Sequence, residues 1–319
     1  MFIAQAFKYL HDWWRYLLPA AGLLGLFALN YAVVLLLDMD VDKLMREQIQ
    51  EKGSNRVFLE NMIPFALFLG ALFVWVKFVH RQPILTLTTS RKKVDWGRIF
   101  FGFGLIVVTT TGLTLFAYFT NPDDFVLQFD LWPFLGLALI SFLLIPFQSS
   151  FEEYMFRGYL LQGIGVMARN KWMPLIVTSV LFGLMHSMNP EVEKLGYIIM
   201  VYYIGTGLFL GIITLMDEGL ELALGFHAGN NIVAALLVTS DWTVFQTNSV
   251  FKDISEPSAG FEIIISVIIT YPIFIALMAW RYKWKGWTDK LFGKVEPPPD
   301  PLVEIIEERQ NSIEENHNS

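Results

Sequence analysis

The chain has 319 residues, of which 54% are hydrophobic, 15% aromatic and only 17% charged, and its formal net charge is −7. This composition is richer in apolar residues and poorer in charged ones than a soluble domain, so it predicts a membrane protein. Because the chain contains no cysteine, it can form no disulfide, and it has no thiol nucleophile and no thiolate metal site. The basic residues flank the apolar runs, and nothing indicates nucleic-acid binding.

Apolar runs long enough to cross about 30 Å of hydrocarbon recur along the chain. In chain order they cover residues 17–37, 62–79, 99–119, 131–149, 197–216 and 261–280. Two further runs, at 172–187 and 220–239, are shorter or more polar. We therefore predict an all-α, polytopic membrane bundle of about eight transmembrane helices, since these runs are far too long for the strands of a barrel.

Four regions are expected along the chain. They are N-terminal transmembrane helices and loops at 1–130, a core at 131–240, a last transmembrane helix at 241–290 and a disordered acidic tail at 291–319. The tail combines a proline cluster with polar and acidic residues, and it cannot bury enough apolar surface to fold alone. Much of the remaining negative charge lies in the segment 38–60, which we predict to be a loop.

The distribution of basic residues predicts the orientation in the membrane. Lysine and arginine are dense at 77–98 and at 281–294, whereas 120–130 has aspartates and no basic residue. By the positive-inside rule, both basic stretches and both termini face the cytoplasm. We expect a multi-pass integral membrane protein, which in a bacterium would lie in the cell (inner) membrane.

Two adjacent carboxylates and an arginine follow the run at 131–149, in the stretch SSFEEYMFRGYL. In a helix, Glu153 lies over Arg157 in the favourable orientation, whereas Glu152 is rotated by about 100° and has no such partner. This predicts a neutralised structural carboxylate, Glu153, and a free one, Glu152, that can act as a general base. A patch solvated at the membrane interface is the alternative.

A first histidine lies within the run at 172–187, where an ionisable side chain is expensive. The stretch SVLFGLMHSMNP places Phe182 and His186 one helical turn apart, and Asn189 and Pro190 then end the helix. His186 is a candidate for function, and a hydrogen-bonded packing residue is the alternative.

A second histidine lies in ALGFHAGNNIV, where His227 and Asn231 share one helical face. Gly225 and Gly229 would let a neighbouring helix or an extended substrate approach closely. Two hydrogen-bonding side chains aimed the same way suit an oxyanion hole or half of a metal site. Polar contact between helices is the alternative.

The motifs EExxxR, FxxxH and HxxxN, in this order and each on a separate apolar run, resemble the signature of the CPBP family. These intramembrane proteases include the type II CAAX prenyl endopeptidases and Abi-like bacteriocin-processing and immunity proteins. The resemblance covers roughly residues 130–240. It implies a CAAX-type intramembrane endopeptidase, of glutamate or metallo type, that acts on a membrane-associated protein or peptide in the lipid bilayer.

The same resemblance implies roles for individual residues. Glu152 and His186 activate a water molecule, and His227 with Asn231 stabilises the oxyanion. The residues that the resemblance assigns to structural support are Glu153, Arg157 and Phe182. A zinc site made by Glu152, His186 and His227, with an open position for water, ranks second because Asn231 is a poor zinc ligand. No other cofactor is expected.

The four catalytic candidates must lie at one depth to form a site. At about 1.5 Å per helical residue, His186, His227 and Asn231 lie about 21, 10 and 16 Å from the same membrane face. Glu152 joins them if 152–168 is an inserted helix, which places it about 24 Å from that face. We prefer this arrangement, although it requires either a miscounted weak span or a failure of the positive-inside rule in one half of the chain.

Two other classes of function stay open at this stage. One is a non-catalytic scaffold, or an immunity or partner-binding protein, that keeps the polar cluster for packing. The other is a proton-coupled transporter with a Glu and His relay, which is disfavoured because the chain lacks paired discontinuous segments in two related halves. Other intramembrane protease classes are disfavoured because the chain has no HExxH motif, no glycine-flanked serine paired with a histidine and no aspartate pair within the runs.

Overall fold

The long apolar runs form helices. A computed structural model describes residues 1–257 and 260–298. In chain order, the α-helices of these residues are Trp13–Leu36 (α1), Val41–Lys52 (α2), Ser54–Phe78 (α3), Ile84–Thr88 (α4), Trp96–Thr120 (α5), Leu131–Glu153 (α6), Leu161–Ala168 (α7), Trp172–Leu184 (α8), Pro190–Leu195 (α9), Ile199–Asp217 (α10), Glu221–Leu237 (α11), Phe261–Ile265 (α12), Tyr271–Tyr282 (α13) and Trp287–Phe292 (α14). The π-helical segments Tyr154–Leu160 and Ser266–Thr270 join α6 to α7 and α12 to α13, and Ile3–Lys8 and Pro122–Asp124 are 3₁₀-helices.

Six helical stretches of the described residues are long and apolar enough to cross a membrane. They are Trp13–Leu36, Ser54–Phe78, Trp96–Thr120, Leu131–Ala168, Ile199–Asp217 and Ile263–Tyr282. The two weaker predicted runs form the shorter helices α8 and α11, which pack among the long ones. The predicted all-α, polytopic membrane bundle is confirmed. Its main hydrophobic core surrounds the π-helical segment Tyr154–Leu160.

A small sheet closes one end of the bundle. Its strands are Phe125–Leu127 (β1), Val238–Thr239 (β2) and Phe251–Asp253 (β3), in the order β1-β3-β2. β3 pairs antiparallel with β1 and parallel with β2. The sheet therefore ties together the segments that follow α5 and α11.

The basic connections meet at the opposite end. There the backbone N–H of Leu220 donates to the carbonyl of Thr88 at 2.8 Å, and the N–H of Lys171 donates to the carbonyl of Gly293 at 3.1 Å. At the same end, the N–H of Leu10 donates to the carbonyl of His80 at 3.1 Å. The basic stretches 77–98 and 281–294 thus share one end of the bundle with the N-terminal residues, as the positive-inside rule requires.

Residues 131–168 form one continuous helical stretch of 38 residues. Its length is about 57 Å at 1.5 Å per residue, nearly twice the hydrocarbon thickness of about 30 Å. The prediction of a separate inserted helix at 152–168, after a span at 131–149, is therefore wrong. Nothing between Ser149 and Glu152 breaks the helix, so the two pieces make a single passage and the conflict with the positive-inside rule disappears.

The segment 38–60 also differs from its prediction as a loop. It forms α2 and the start of α3. Asp40 caps α2 by accepting a hydrogen bond from the N–H of Lys43 at 2.8 Å, and Gly53, with a φ of +83°, separates the two helices. Charged residues do not prevent a surface helix when a cap and a glycine define its ends.

The predicted tail is described only in part. Residues 287–292 form α14, and Lys294 makes a backbone bridge to Asn170. Residues 299–319, which carry most of the predicted disordered acidic tail, lie outside the described residues. The helices α3 and α5 of the predicted N-terminal region pack directly on α6 and α11, and the predicted domain boundaries remain predictions.

Glycine permits the close contact between α5 and α11. A methyl group on Gly225 would overlap the carbonyl oxygen of Ile99, and one on Gly229 would lie 3.0 Å from the carbonyl oxygen of Phe103. A neighbouring helix therefore occupies the space that these glycines leave open. Since a backbone oxygen cannot move aside as a flexible side chain can, this contact tolerates no Cβ at position 225.

We expect Gly225→Ala to lower the free energy of unfolding by about 1–3 kcal/mol, the usual cost of overpacking. Denaturation of the purified protein in mixed micelles measures this free energy of unfolding. Gly104→Ala on α5 is the matched control, because no atom lies within 4 Å of its added methyl group and alanine favours a helix. Equal stability of the two variants would contradict the expected close contact.

Candidate active site

The second glutamate of the pair, Glu153, is fully buried and doubly hydrogen-bonded. Its Oε1 accepts a hydrogen bond from Nη1 of Arg157 at 2.9 Å and another from Nδ1 of His227 at 2.7 Å. Arg157 is also fully buried. It donates to the carbonyl of Gly207 at 3.2 Å, and its guanidinium lies 4.0 Å from the ring centroid of Phe182. Neither residue belongs to a solvated interfacial patch, and together they join three helical segments.

The first glutamate, Glu152, has one oxygen held and one left without a protein partner. Its Oε1 accepts a hydrogen bond from Nε2 of Gln148 at 2.5 Å. Its Oε2 lies 3.5 Å from Nε2 of His227 and, within the described residues, is buried without a hydrogen-bond partner. The expectation that Glu152 has no local partner is corrected in one respect, since a neutral amide one turn earlier binds it.

His186 is held between a carbonyl and an aromatic ring. Its Nδ1 donates to the carbonyl of Phe182 at 2.8 Å, and its ring stacks on Tyr203 with centroids 4.6 Å apart. The side chain of Asn189 donates to the hydroxyl of Tyr203 at 3.2 Å. The Phe182 ring lies 4.7 Å from the His186 ring and 5.9 Å from that of His227. These contacts fix both imidazoles and leave Nε2 of His186 as the nitrogen that can act on a ligand.

Asn231 is oriented by two other amides. Its Nδ2 donates to Oε1 of Gln148 at 2.9 Å, and its Oδ1 accepts from Nδ2 of Asn230 at 3.1 Å. The sequence reasoning missed Gln148. The helical spacing could have identified it, because residues 148 and 152 are one turn apart and share a face.

All four catalytic candidates, Glu152, His186, His227 and Asn231, line one cavity of about 600 Å³. The paired Glu153 and Arg157 are not part of this wall and lie behind it. The structure therefore brings together the side chains to which the motifs pointed and separates the two glutamates by environment.

A second acidic residue of the cavity wall, besides Glu152, was not singled out in the sequence. Glu191 lies at the start of α9, where its Oε1 accepts a hydrogen bond from the N–H of Val244 at 2.8 Å. Burial raises the pKa of this carboxyl group. It follows a proline outside the apolar runs, so no pattern in the sequence relates it to the site.

An apolar groove of about 350 Å³ adjoins the cavity between α1 and α3. Its walls include Pro19 and Gly22 of α1 and Trp75 of α3. Leu23 and Phe151 line both the groove and the cavity. The groove therefore meets the cavity at Phe151, the residue before Glu152.

An offset between helices brings α11 level with the glutamate pair of the long helix. Gly158, within the π-helical segment, packs against Leu87 and Leu220, so that α11 begins level with the last third of the long helix 131–168. His227, two turns into α11, consequently reaches Glu153, while α7 continues past this level and packs under Ile3–Lys8. π-Helical turns often occur at functional sites, and this one directly follows the glutamate pair.

The zinc alternative requires Glu152, His186 and His227 to converge on one point. Glu152 and His227 face each other at 3.5 Å. Within residues 1–257 and 260–298, however, no three His, Asp or Glu side chains form a group that could hold a metal ion. His186, the third member of the zinc alternative, does not complete a three-ligand set with the other two.

Comparison with known proteins agrees with this geometry. Residues 131–233 match the family described as type II CAAX prenyl endopeptidase Rce1-like. These residues are similar to an Rce1-like domain. The domain begins with α6 and ends within α11, so it contains the four catalytic candidates and Gln148. The resemblance to type II CAAX prenyl endopeptidases is confirmed, and it supports CAAX-type intramembrane protease activity.

One relative extends beyond the Rce1-like domain. A Bacillus subtilis (strain 168) protein named "Uncharacterized protein YyaK" is 25% identical over 277 residues, which cover 85% of this chain and 92% of the relative. No solved structure is significantly similar to this chain. A match that covers 85% of the chain includes α3, which supplies Met62 and Phe65 to the cavity wall.

Proposed function

We propose that this protein is an intramembrane endopeptidase that hydrolyses a peptide bond of a membrane-associated protein or peptide. The observation that carries the proposal is the state of Glu152. Within the described residues, it is a cavity-lining carboxylate whose Oε2 has no partner, whereas Glu153 is paired with Arg157 and His227. A carboxylate with one oxygen held by Gln148 and the other without a partner suits the removal of a proton from water.

In the proposed first step, Glu152 and His186 hold a water molecule in the cavity. Glu152 takes a proton from this water as its oxygen attacks the carbonyl carbon of the scissile peptide bond. Because Nδ1 of His186 donates to the carbonyl of Phe182, Nε2 is the nitrogen that faces the water. The new C–O bond converts the carbonyl into a tetrahedral oxyanion.

His227 and Asn231 provide the donors for this oxyanion. When both ring nitrogens of His227 carry a hydrogen, Nδ1 donates to Glu153 and the N–H at Nε2 is left for the oxyanion. Asn231 uses one amide hydrogen for Gln148, and the second is the donor to the oxyanion. The proton on Glu152 then passes to the leaving nitrogen as the C–N bond breaks, which regenerates the carboxylate.

The surroundings of the cavity favour a substrate attached to the membrane. The apolar groove between α1 and α3 meets the cavity at Leu23 and Phe151, so it suits a hydrocarbon chain joined to the peptide. The family description names prenyl endopeptidases of CAAX type. We therefore propose a lipid-modified or membrane-anchored peptide as the substrate class.

Proteoliposomes that contain the purified protein test this function directly. The substrates are a quenched fluorescent peptide that ends in a farnesylated Cys-a-a-X sequence and the same peptide without the farnesyl group. We expect cleavage of the farnesylated peptide and slower cleavage of the unmodified one. Absence of cleavage of both peptides, and of a membrane-anchored peptide without prenylation, would favour the scaffold or immunity function instead.

Removal of metal should leave this activity unchanged, because the proposed steps use only side chains. We expect the cleavage rate to be the same before and after treatment with EDTA or 1,10-phenanthroline. A metallopeptidase under the same treatment is the positive control for chelation. A loss of activity that added zinc restores would support the metal-dependent alternative with Glu152, His186 and His227.

A further inference from the structure

A chain of three amides runs from α11 to Glu152. Nδ2 of Asn230 donates to Oδ1 of Asn231, and Nδ2 of Asn231 donates to Oε1 of Gln148. Nε2 of Gln148 then donates to Oε1 of Glu152 at 2.5 Å. Gln148 is buried, and it links α6 to α11 in this series of hydrogen bonds.

The direction of the chain is determined by the carboxylate at its end. An ionised carboxylate only accepts hydrogen bonds, so Gln148 must turn its NH₂ group toward Glu152 and its carbonyl oxygen toward Asn231. Asn231 must then turn its own NH₂ group toward Gln148. The assignment of amide oxygen and nitrogen, which is often ambiguous, follows here from the charge of Glu152.

We infer that Gln148 is a positioning residue that aligns the base and the oxyanion donor with each other. By binding Oε1 of Glu152, Gln148 turns the other oxygen, Oε2, toward His227. Oε2 then lies 3.5 Å from Nε2 of His227. By accepting from Asn231 it presents the NH₂ group of that residue to the cavity, with one hydrogen left for the substrate. The roles of Glu152 and Asn231 in this inference rest on the proposed function.

A pair of variants at position 148 tests the inference by kinetics. Gln148→Leu removes both hydrogen bonds, and we expect a fall in kcat of about 10- to 100-fold with little change in KM, because misplacement of a catalytic group by about 1 Å costs up to 100-fold. Gln148→Glu keeps the shape but loses the donor when ionised. We expect its activity relative to the parent to recover as the pH falls from about 8 to about 5, since a protonated carboxyl group donates and accepts as an amide does.

A second buried amide pair supplies the matched control. Nε2 of Gln82 donates to Oε1 of Gln162 at 3.0 Å at the basic end of the bundle, away from the cavity. We expect Gln82→Leu to lower the melting temperature without changing kcat or the pH profile. A kcat for Gln148→Leu equal to that of the control, or a pH profile of Gln148→Glu that parallels the parent, would overturn the inference.

Infrared difference spectroscopy decides the same question without a substrate. The carboxylate stretch of Glu152 is the band that Glu152→Gln removes. We expect this band to shift in Gln148→Leu and to stay in place in Gln82→Leu, and an unshifted band in both would overturn the inference. If the parent cleaves no peptide but the band shifts, the proposed function fails while the contact of Gln148 with Glu152 stands.

Discussion

Glu152→Gln is expected to lower the rate of peptide cleavage by about 10²- to 10⁴-fold, which is the usual contribution of a general base. The amide has nearly the shape of the carboxylate but cannot take a proton from water. Glutamine keeps an acceptor oxygen for Nε2 of Gln148, and Oε2 of Glu152 makes no hydrogen bond within the described residues, its contact with Nε2 of His227 being 3.5 Å long. The melting temperature should therefore stay close to that of the parent protein, and the two measurements together separate catalysis from folding.

The control for this experiment is Glu51→Gln, which changes an exposed carboxylate on α2. It removes the same charge from the protein, and we expect it to cleave at the parental rate. Full activity of a folded Glu152→Gln protein would contradict the proposed mechanism. Loss of folding in the same variant would instead point to a structural role for the carboxylate.

The second large effect is expected at the buried ion pair. Arg157→Met should lower the free energy of unfolding by about 3–5 kcal/mol, because it leaves the carboxylate of Glu153 buried without its cation. Both side chains are fully buried, so solvent does not screen their interaction. Denaturation in mixed micelles, followed by circular dichroism, measures the loss.

The double variant Glu153→Gln, Arg157→Met tests the physical cause. Glutamine at 153 still accepts the hydrogen bond from Nδ1 of His227 but carries no charge that needs neutralisation. We expect it to recover part of the stability that Arg157→Met loses, since replacement of a whole buried pair costs less than removal of one member. A double variant less stable than Arg157→Met would show that the charge of Glu153 is not the cause.

The two glutamates illustrate what helical spacing can predict. Positions 153 and 157 share a face, and this spacing predicted the pair that the structure contains at 2.9 Å. Charge by itself indicates no partner for Glu152, because Gln148, one turn earlier, is neutral. A glutamine in an apolar run has many possible partners, and only the approach of Asn231 from α11 makes this one part of the site.

The long helix 131–168 shows where local pattern failed. Apolar runs bounded by charged residues indicate membrane spans of ordinary length, so the sequence predicts that the glutamate pair lies at the boundary between two segments. In the folded protein the charges lie within one helix, because His227 and Arg157 bind Glu153 and the neighbouring helices enclose them. Their cost in a low-dielectric surrounding is compensated by contacts that the sequence of this segment does not contain.

The sequence by itself determined the class of protein, the positions of most helices and the candidate residues of the site, because hydrophobic length and helical periodicity are local properties. It also carried the three motifs that resemble the CPBP family. Only the tertiary structure decided that Glu152, His186, His227 and Asn231 line one cavity and that Gln148 joins two of them. These relations depend on the offset between helices that are distant in the chain, and packing contacts such as Gly158 on Leu220 and Gly225 on Ile99 set that offset.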